Sequence, residues 1–207
     1  SLDRCIARGA ASVIGMIEET PLDVRWNQGL IVTPWYFVET GGSTSNPTSF
    51  DVVTVKLAHV TAVCRQGLYQ VERRPGSGYQ LAVDVDAQDC ILMTDEDAPL
   101  YDFVGVSDVT QGDLQYGGQG NLYPNSDALF LRFRGQPGDA PTEFALKQRG
   151  LIWSREKSPQ SGDPWRPTLD LSLPPHTRDK TDFEINAAMA VEAGFDGAQL
   201  PEVMPPA

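Results

Sequence analysis

Composition and pattern point to a mainly β chain of the α+β kind, a β-sandwich or barrel with an N-terminal helix, a late C-terminal helix and an extended C-terminal arm. Three observations lead there. Short runs rich in Val, Ile, Leu, Tyr and Phe recur between turn-forming clusters. The 19 Gly and 16 Pro favour many turns over long helices. Alternation with a period of two dominates the middle of the chain, and no repeat at solenoid or propeller periods is visible, which favours closed or two-layered architectures.

In chain order, Leu2, Ile6, Ala10, Val13 and Ile17 recur at helical spacing with Asp3, Arg4 and Arg8 off the stripe, so Leu2 to Glu19 reads as an amphipathic helix capped by Ser1 and limited by Pro21. Val24-Arg25-Trp26 and Leu30-Ile31-Val32 flank the Gly-containing connection Asn27-Gln28-Gly29, and Trp35 to Val38 continues the β territory after Pro34. Thr40 to Ser49 is a loop by composition. Val52 to Cys64 is the longest strand candidate, with Val53, Val55, Leu57 and Val63 on one parity, and is expected to form a hairpin with Leu68 to Arg73 through Arg65-Gln66-Gly67.

After Pro75-Gly76-Ser77-Gly78, the residues Leu81, Val83 and Val85 alternate with Asp84 and Asp86, as in a strand with one solvated face. Further strands are expected at Cys90 to Met93, Tyr101 to Val106, Ala128 to Arg134 and Glu143 to Lys147, with Leu151-Ile152-Trp153 continuing the run. Thr181-Asp182-Phe183-Glu184 fits a capping box, followed by Ala187, Ala190 and Val191 on one face and Gly194 as a stop. Residues 1–153 thus form a helix plus a β-rich domain, and 154–207 an irregular Pro-rich segment, a helix over about 182–193 and a tail.

Charge narrows the partners. The chain carries 16 Lys and Arg against 28 Asp and Glu, a net charge of −12, and no basic run exceeds Arg73-Arg74. Such a surface repels phosphate backbones and anionic lipids, so no direct nucleic-acid or membrane partner is expected. Cys5, Cys64 and Cys90 lack the spacing of a metal site or a disulfide framework and read as reduced, mostly buried thiols. With neither an apolar stretch of membrane-spanning length nor a signal-like start, a cytoplasmic origin is expected.

No catalytic, metal or cofactor signature emerges. His59 lies in a β-patterned run and His176 in a Pro-rich loop, neither beside a recognisable nucleophile. Asp84, Asp86 and Asp89, and the group Asp95, Glu96, Asp97 and Asp102, supply oxygen ligands without the central glycine and terminal glutamate of a calcium loop. Gly117-Gly118-Gln119-Gly120-Asn121 reads as a tightly turning loop, since it lacks the lysine and hydroxyl of a phosphate loop. Ser154-Arg155-Glu156-Lys157 matches S-x-x-K by letter, without the companion motifs.

The aromatic residues Trp26, Trp35, Tyr36, Tyr69, Tyr79, Tyr116, Tyr123 and Trp165 would serve either as core or as stacking platforms for sugar rings. Trp165 belongs to no strand and reads as an anchor seated in a pocket, in its own chain or a neighbour's. Leu200, Val203 and Met204, set among prolines, form a stiff apolar arm suited to a groove on an adjacent copy. These four residues are the expected interface. The function they imply is that of a non-enzymatic structural subunit in a homo-oligomeric assembly, such as a bacteriophage head or tail component in a virion, its partners being copies of itself and other assembly subunits. A glycan-binding β-sandwich and a hydrolase are the second and third readings.

Overall fold

Valine and leucine alternate along the middle of the chain so that one set of side chains leaves water, and the strands so made stack in parallel. The computed structural model describes residues 1–106, 113–125, 129–135, 138–145, 154–165, 169–170, 172–185, 193–198 and 200. In it Leu22 lies beside Val53, Val53 beside Val83 and Val83 beside Leu114. On a second sheet Val38 lies beside Tyr69, Tyr69 beside Tyr101 and Tyr101 beside Leu131. Each step advances the sequence by about 30 residues, within the range of solenoid repeats. The fold is a parallel β-solenoid.

The first rung is β1 (Leu2–Arg8) and β2 (Ile14–Met16), the second β3 (Leu22–Thr33) and β4 (Tyr36–Thr40), and the third β5 (Val52–Cys64) and β6 (Gly67–Glu72). The fourth is β7 (Ala82–Gln88), β8 (Ile91–Met93) and β9 (Pro99–Val104), and the fifth β10 (Leu114–Gln119), β11 (Leu122–Tyr123) and β12 (Leu129–Arg134). Short strands follow at β13 (Thr142–Ala145), β14 (Ser154–Lys157) and β15 (Gln160–Ser161). One sheet runs β1-β3-β5 and then forks into β7-β10-β14 and β8-β11-β15, while the other runs β2-β4-β6-β9-β12-β13. Every pairing between these strands is parallel except β12 with β13.

The fork has a local cause. Arg4, Gln28, His59, Asp89 and Ser158 have φ between 50° and 53°, and Gly120 has φ 69°. The registers of their neighbours put these residues at one place on successive rungs. A single left-handed residue per rung therefore bends the first sheet into two faces, and the second sheet supplies the third. The bend also reverses parity: before it Val53, Val55 and Leu57 enter the interior cluster, and after it Val60, Ala62 and Cys64 do. Burying each such Val or Leu stabilises the fold by about 1.5–3 kcal/mol. Rings join the same interior, with Tyr101 edge-on to Phe130 at 5.4 Å and Trp26 edge-on to Phe37 at 5.9 Å.

Several sequence expectations are overturned. The fold is neither a sandwich nor a barrel, and among the described residues there is no α-helix. Leu2 to Glu19 is not a helix but holds two strands: Cys5 and Ala7 of β1 pack on the interior while Ile6 between them packs on the second cluster, and Leu2 and Ile17 of the expected stripe are exposed. Val52–Cys64 and Gly67–Glu72 are strands, yet they form no hairpin: β5 pairs with β3, β7 and β8, and β6 with β4 and β9. Arg65-Gln66 turns a corner between faces instead of reversing the chain. Gly117 to Gln119 belongs to β10 and not to a loop.

The late capping box lies two residues earlier than expected, with Asp179 and Asp182 as its partners, and it opens a 3-10 turn over Lys180–Phe183. Glu184 is already extended and Ile185 bridges to Trp165, so no helix begins at Asp182; residues 186–192 of the expected helix lie outside the described residues, as do Leu151-Ile152-Trp153. No helix among the described residues is long and apolar enough to cross a membrane.

Candidate functional site

The second face of the solenoid, after the bend, is apolar on its outer side too. Leu30, Val32, Val63, Ile91 and Leu122 stack there, one or two from each of the second to fifth rungs, and an uncovered patch of that kind would be costly in water. The C-terminal segment covers it. Trp165, Phe183, Ala193 and Leu200 are buried against those residues, with Leu169, Ile185 and Phe195 at the margin. Trp165 meets Phe183 edge-on at 5.6 Å, and its backbone N–H donates to Asp163 Oδ1 at 3.0 Å.

Polar contacts tie this strap to the bend column. The Gly194 N–H donates to the Asp89 carbonyl at 2.7 Å, and the Asp196 N–H to Gln28 Oε1 at 3.0 Å. Gly194 has φ +91°, and a Cβ there would lie 2.8 Å from Ile91 Cδ1 and 2.9 Å from Thr61 Oγ1, so glycine permits the close approach. An Arg8 guanidinium nitrogen donates to the Arg178 carbonyl, and Lys180 Nζ donates to the Leu200 carbonyl at 3.4 Å. Of the four expected interface residues, Trp165 and Leu200 are thus seated on their own chain, 5% and 4% exposed. Val203 and Met204 lie outside the described residues.

Two buried carboxylates bolt the rungs together: Asp102, which the sequence placed only in an acidic group of possible oxygen ligands, and Glu19, which it placed only at the end of an expected helix. Glu19 leaves the first rung and accepts the Tyr69 hydroxyl on Oε1 at 2.6 Å and the Leu81 N–H on Oε2 at 2.6 Å, with the Thr40 hydroxyl at 3.4 Å. Burial raises its pKa from the ordinary 4.5, against the opposing pull of these donors and of the Arg73 charge. Asp102 on β9 is fully buried and accepts from Arg132 and Arg134 on β12 and from the Tyr36 hydroxyl at 2.9 Å. Burial and the Asp102 charge push the Tyr36 hydroxyl pKa well up. Asp102 did carry a legible signal, an acid inside Leu100-Tyr101-Asp102-Phe103-Val104 with arginines alternating in Leu131-Arg132-Phe133-Arg134. Glu19 carried none, since its partners come from three later rungs.

A third polar knot closes the fifth rung. Asn121, fully buried, accepts the Cys90 N–H on Oδ1 at 2.9 Å and donates to the Ala87 carbonyl at 2.7 Å and to Glu156 Oε1 at 2.8 Å. The Tyr123 hydroxyl donates to the same Glu156 oxygen at 2.8 Å and touches the Tyr116 hydroxyl. Burial leads the causes that raise both tyrosine pKa values. The cysteines are free thiols: Cys64 and Cys90 lie in the interior, where burial pushes Cys64 well up and Cys90 to about 12, and so holds them protonated and unreactive. Cys5 is half-buried.

The residues weighed for catalysis are dispersed. Asp84 pairs with Thr54 and Asp86 with Lys56 on the first face, His59 and Asp89 sit in the bend column, and Glu96 lies in the loop between β8 and β9. Asp95 is joined to Arg65 at 3.0 Å. No group of three His, Cys, Asp or Glu side chains that could hold a metal ion occurs among the described residues. Of the eight aromatics weighed as sugar platforms, Trp35 and Tyr79 are 44% and 42% exposed, and they stand at different corners; the other six are buried. No family model, no curated protein and no solved structure matches the chain.

Proposed function

We propose that this chain is a non-enzymatic structural subunit of a homo-oligomeric assembly, with a bacteriophage head or tail component as its setting and copies of itself among its partners. The observation that supports the reading is the edge of the first rung. Among the described residues β1 pairs only with β3 and β2 only with β4, so the outer side of each offers a strand ladder on which a further strand can add. Beside them Cys5, Ala7, Val13, Ile14 and Met16 are only partly buried, and Leu2 and Ile17 are 39% and 86% exposed. The contact is moved from the C-terminal arm to this edge, because Trp165 and Leu200 are spent on their own second face. Stacked rungs held by buried carboxylates make a stiff body, which suits a load-bearing part.

Light scattering coupled to size-exclusion chromatography over a range of concentrations tests this. The wild-type chain is expected to associate, and the double variant Leu2→Lys, Ile17→Lys, altered only at exposed positions, to remain a monomer. A wild-type chain that stays monomeric, or a variant that associates equally well, contradicts the proposal.

A further inference from the structure

At the corner where the second sheet hands over to the next rung, the connections are longest, 41–51 and 73–81 among them. Insertions gathered on one side of a solenoid commonly build its binding surface. A cleft of about 810 Å³ opens there between Arg73, Arg74 and Arg134, with Glu72 and Asp139 also on its wall.

Its wall carries Arg73, Arg74 and Arg134 against Glu72 and Asp139, one positive charge over in a chain of net charge −12. Asp102, which is buried, is held by both Arg132 and the cleft's Arg134, which leaves one positive charge over from that trio. Arg74 stands 3.6 Å from Glu72, and its side chain is 44% exposed. Arg73 Nε is buried and has no hydrogen-bond partner among the described residues, a costly arrangement for a guanidinium N–H. Guanidinium forks match the oxygens of carboxylates and phosphates. The chain's net charge of −12 opposes a long polyanion, whereas a small anion needs to meet only the local field.

We propose that this cleft binds a small oxyanionic ligand, a carboxylate or phosphoryl group carrying one or two charges, held by Arg73 and Arg74 with Arg134 at the rim. The site is independent of the assembly reading and uses no residue of the first-rung edge.

Isothermal titration calorimetry with inorganic phosphate and with citrate, at constant ionic strength set by chloride, tests it on the wild-type chain, on Arg74→Gln and on Arg25→Gln. Arg25, on the first face, is paired to Asp23 and serves as the remote control. Saturable binding of either anion to the wild type and to Arg25→Gln, weakened roughly tenfold or more in Arg74→Gln, is the expected result. Because Arg74 lies at the surface, its loss leaves the fold standing, which an unchanged circular dichroism melt verifies. No saturable heat with either anion, or equal binding by Arg74→Gln, overturns the site. A response to phosphate alone assigns the phosphoryl group, and one to citrate alone the carboxylate.

Discussion

Glu19 accepts the Tyr69 hydroxyl at 2.6 Å across two rungs of the solenoid, and its other oxygen holds the Leu81 N–H at the same distance. One side chain from the first rung thereby fixes the third and the approach to the fourth. Removing it in Glu19→Ala strands a buried hydroxyl and a buried N–H and opens a cavity, so a loss of about 3 kcal/mol or more is expected in urea unfolding.

The pH dependence of the same group has a definite sign. Its folded pKa is raised above 4.5 chiefly by burial, so its contribution is fully present below 4.5 and declines as pH rises through the folded value. Glu19→Gln can keep an oxygen toward Leu81 and place its amide against the Tyr69 hydroxyl. The difference in unfolding free energy between wild type and Glu19→Gln is therefore expected to move in favour of the variant as pH increases from 4.5 to 8. A difference that does not vary with pH would mean that the carboxyl is not buried as described.

Asp102→Asn leaves Arg132 and Arg134 sharing no carboxylate. Breaking a buried ion pair from one side typically costs about 3–5 kcal/mol, and the partial exposure of Arg134 places this case near the lower end. Chemical denaturation of Asp102→Asn beside Asp102→Glu checks the size of the loss.

The bend column makes an opposite prediction. A non-glycine residue in the left-handed region costs about 1–2 kcal/mol, offset in part by the unfolded-state freedom that glycine adds. His59→Gly is expected to raise stability by about 0.5 kcal/mol, and His59→Val, β-branched at φ 51°, to lower it by about 1–2 kcal/mol. Thermal melts of the two variants should shift in opposite directions.

These bends also explain what could be read from the chain. Strand positions were legible wherever apolar residues alternate: Val52–Cys64 has the bounds that alternation suggests, and Ala82–Gln88 shows one apolar and one acidic side. The interior thiols Cys64 and Cys90 were equally plain from their apolar surroundings. Partnership was not legible. Val53, Val83 and Leu114 stack on one another, but the repeat keeps only apolar character from rung to rung, and a left-handed residue of a different type reverses the parity inside each rung. Val63, which shares odd numbering with Val53, consequently faces the strap and not the interior. Trp165 was recognisable as an anchor because no strand claims it; which surface received it depended on an apolar second face that the parity reversal concealed. Glu19 and Asn121 show no local pattern at all, since their partners are set by stacking.

Gly194→Ala probes how closely the strap approaches that face. The new methyl would meet Ile91 and Thr61 in a backbone with φ +91°, so a loss of about 1–3 kcal/mol is expected, confined to the strap. Limited proteolysis should cut this variant faster after Lys180 while the rungs remain resistant.

Whether the C-terminal strap closes its own solenoid is decided most directly by cross-linking Gln28 to Asp196, whose side-chain oxygen and backbone nitrogen lie 3.0 Å apart. With Cys5→Ser as background, the double variant Gln28→Cys, Asp196→Cys treated with a short bis-maleimide is expected to give an internally cross-linked monomer, and a mixture of the two single variants no cross-linked dimer. Dimers from the mixture, with no internal link in the double variant, would show that the strap covers a neighbour and would contradict the account.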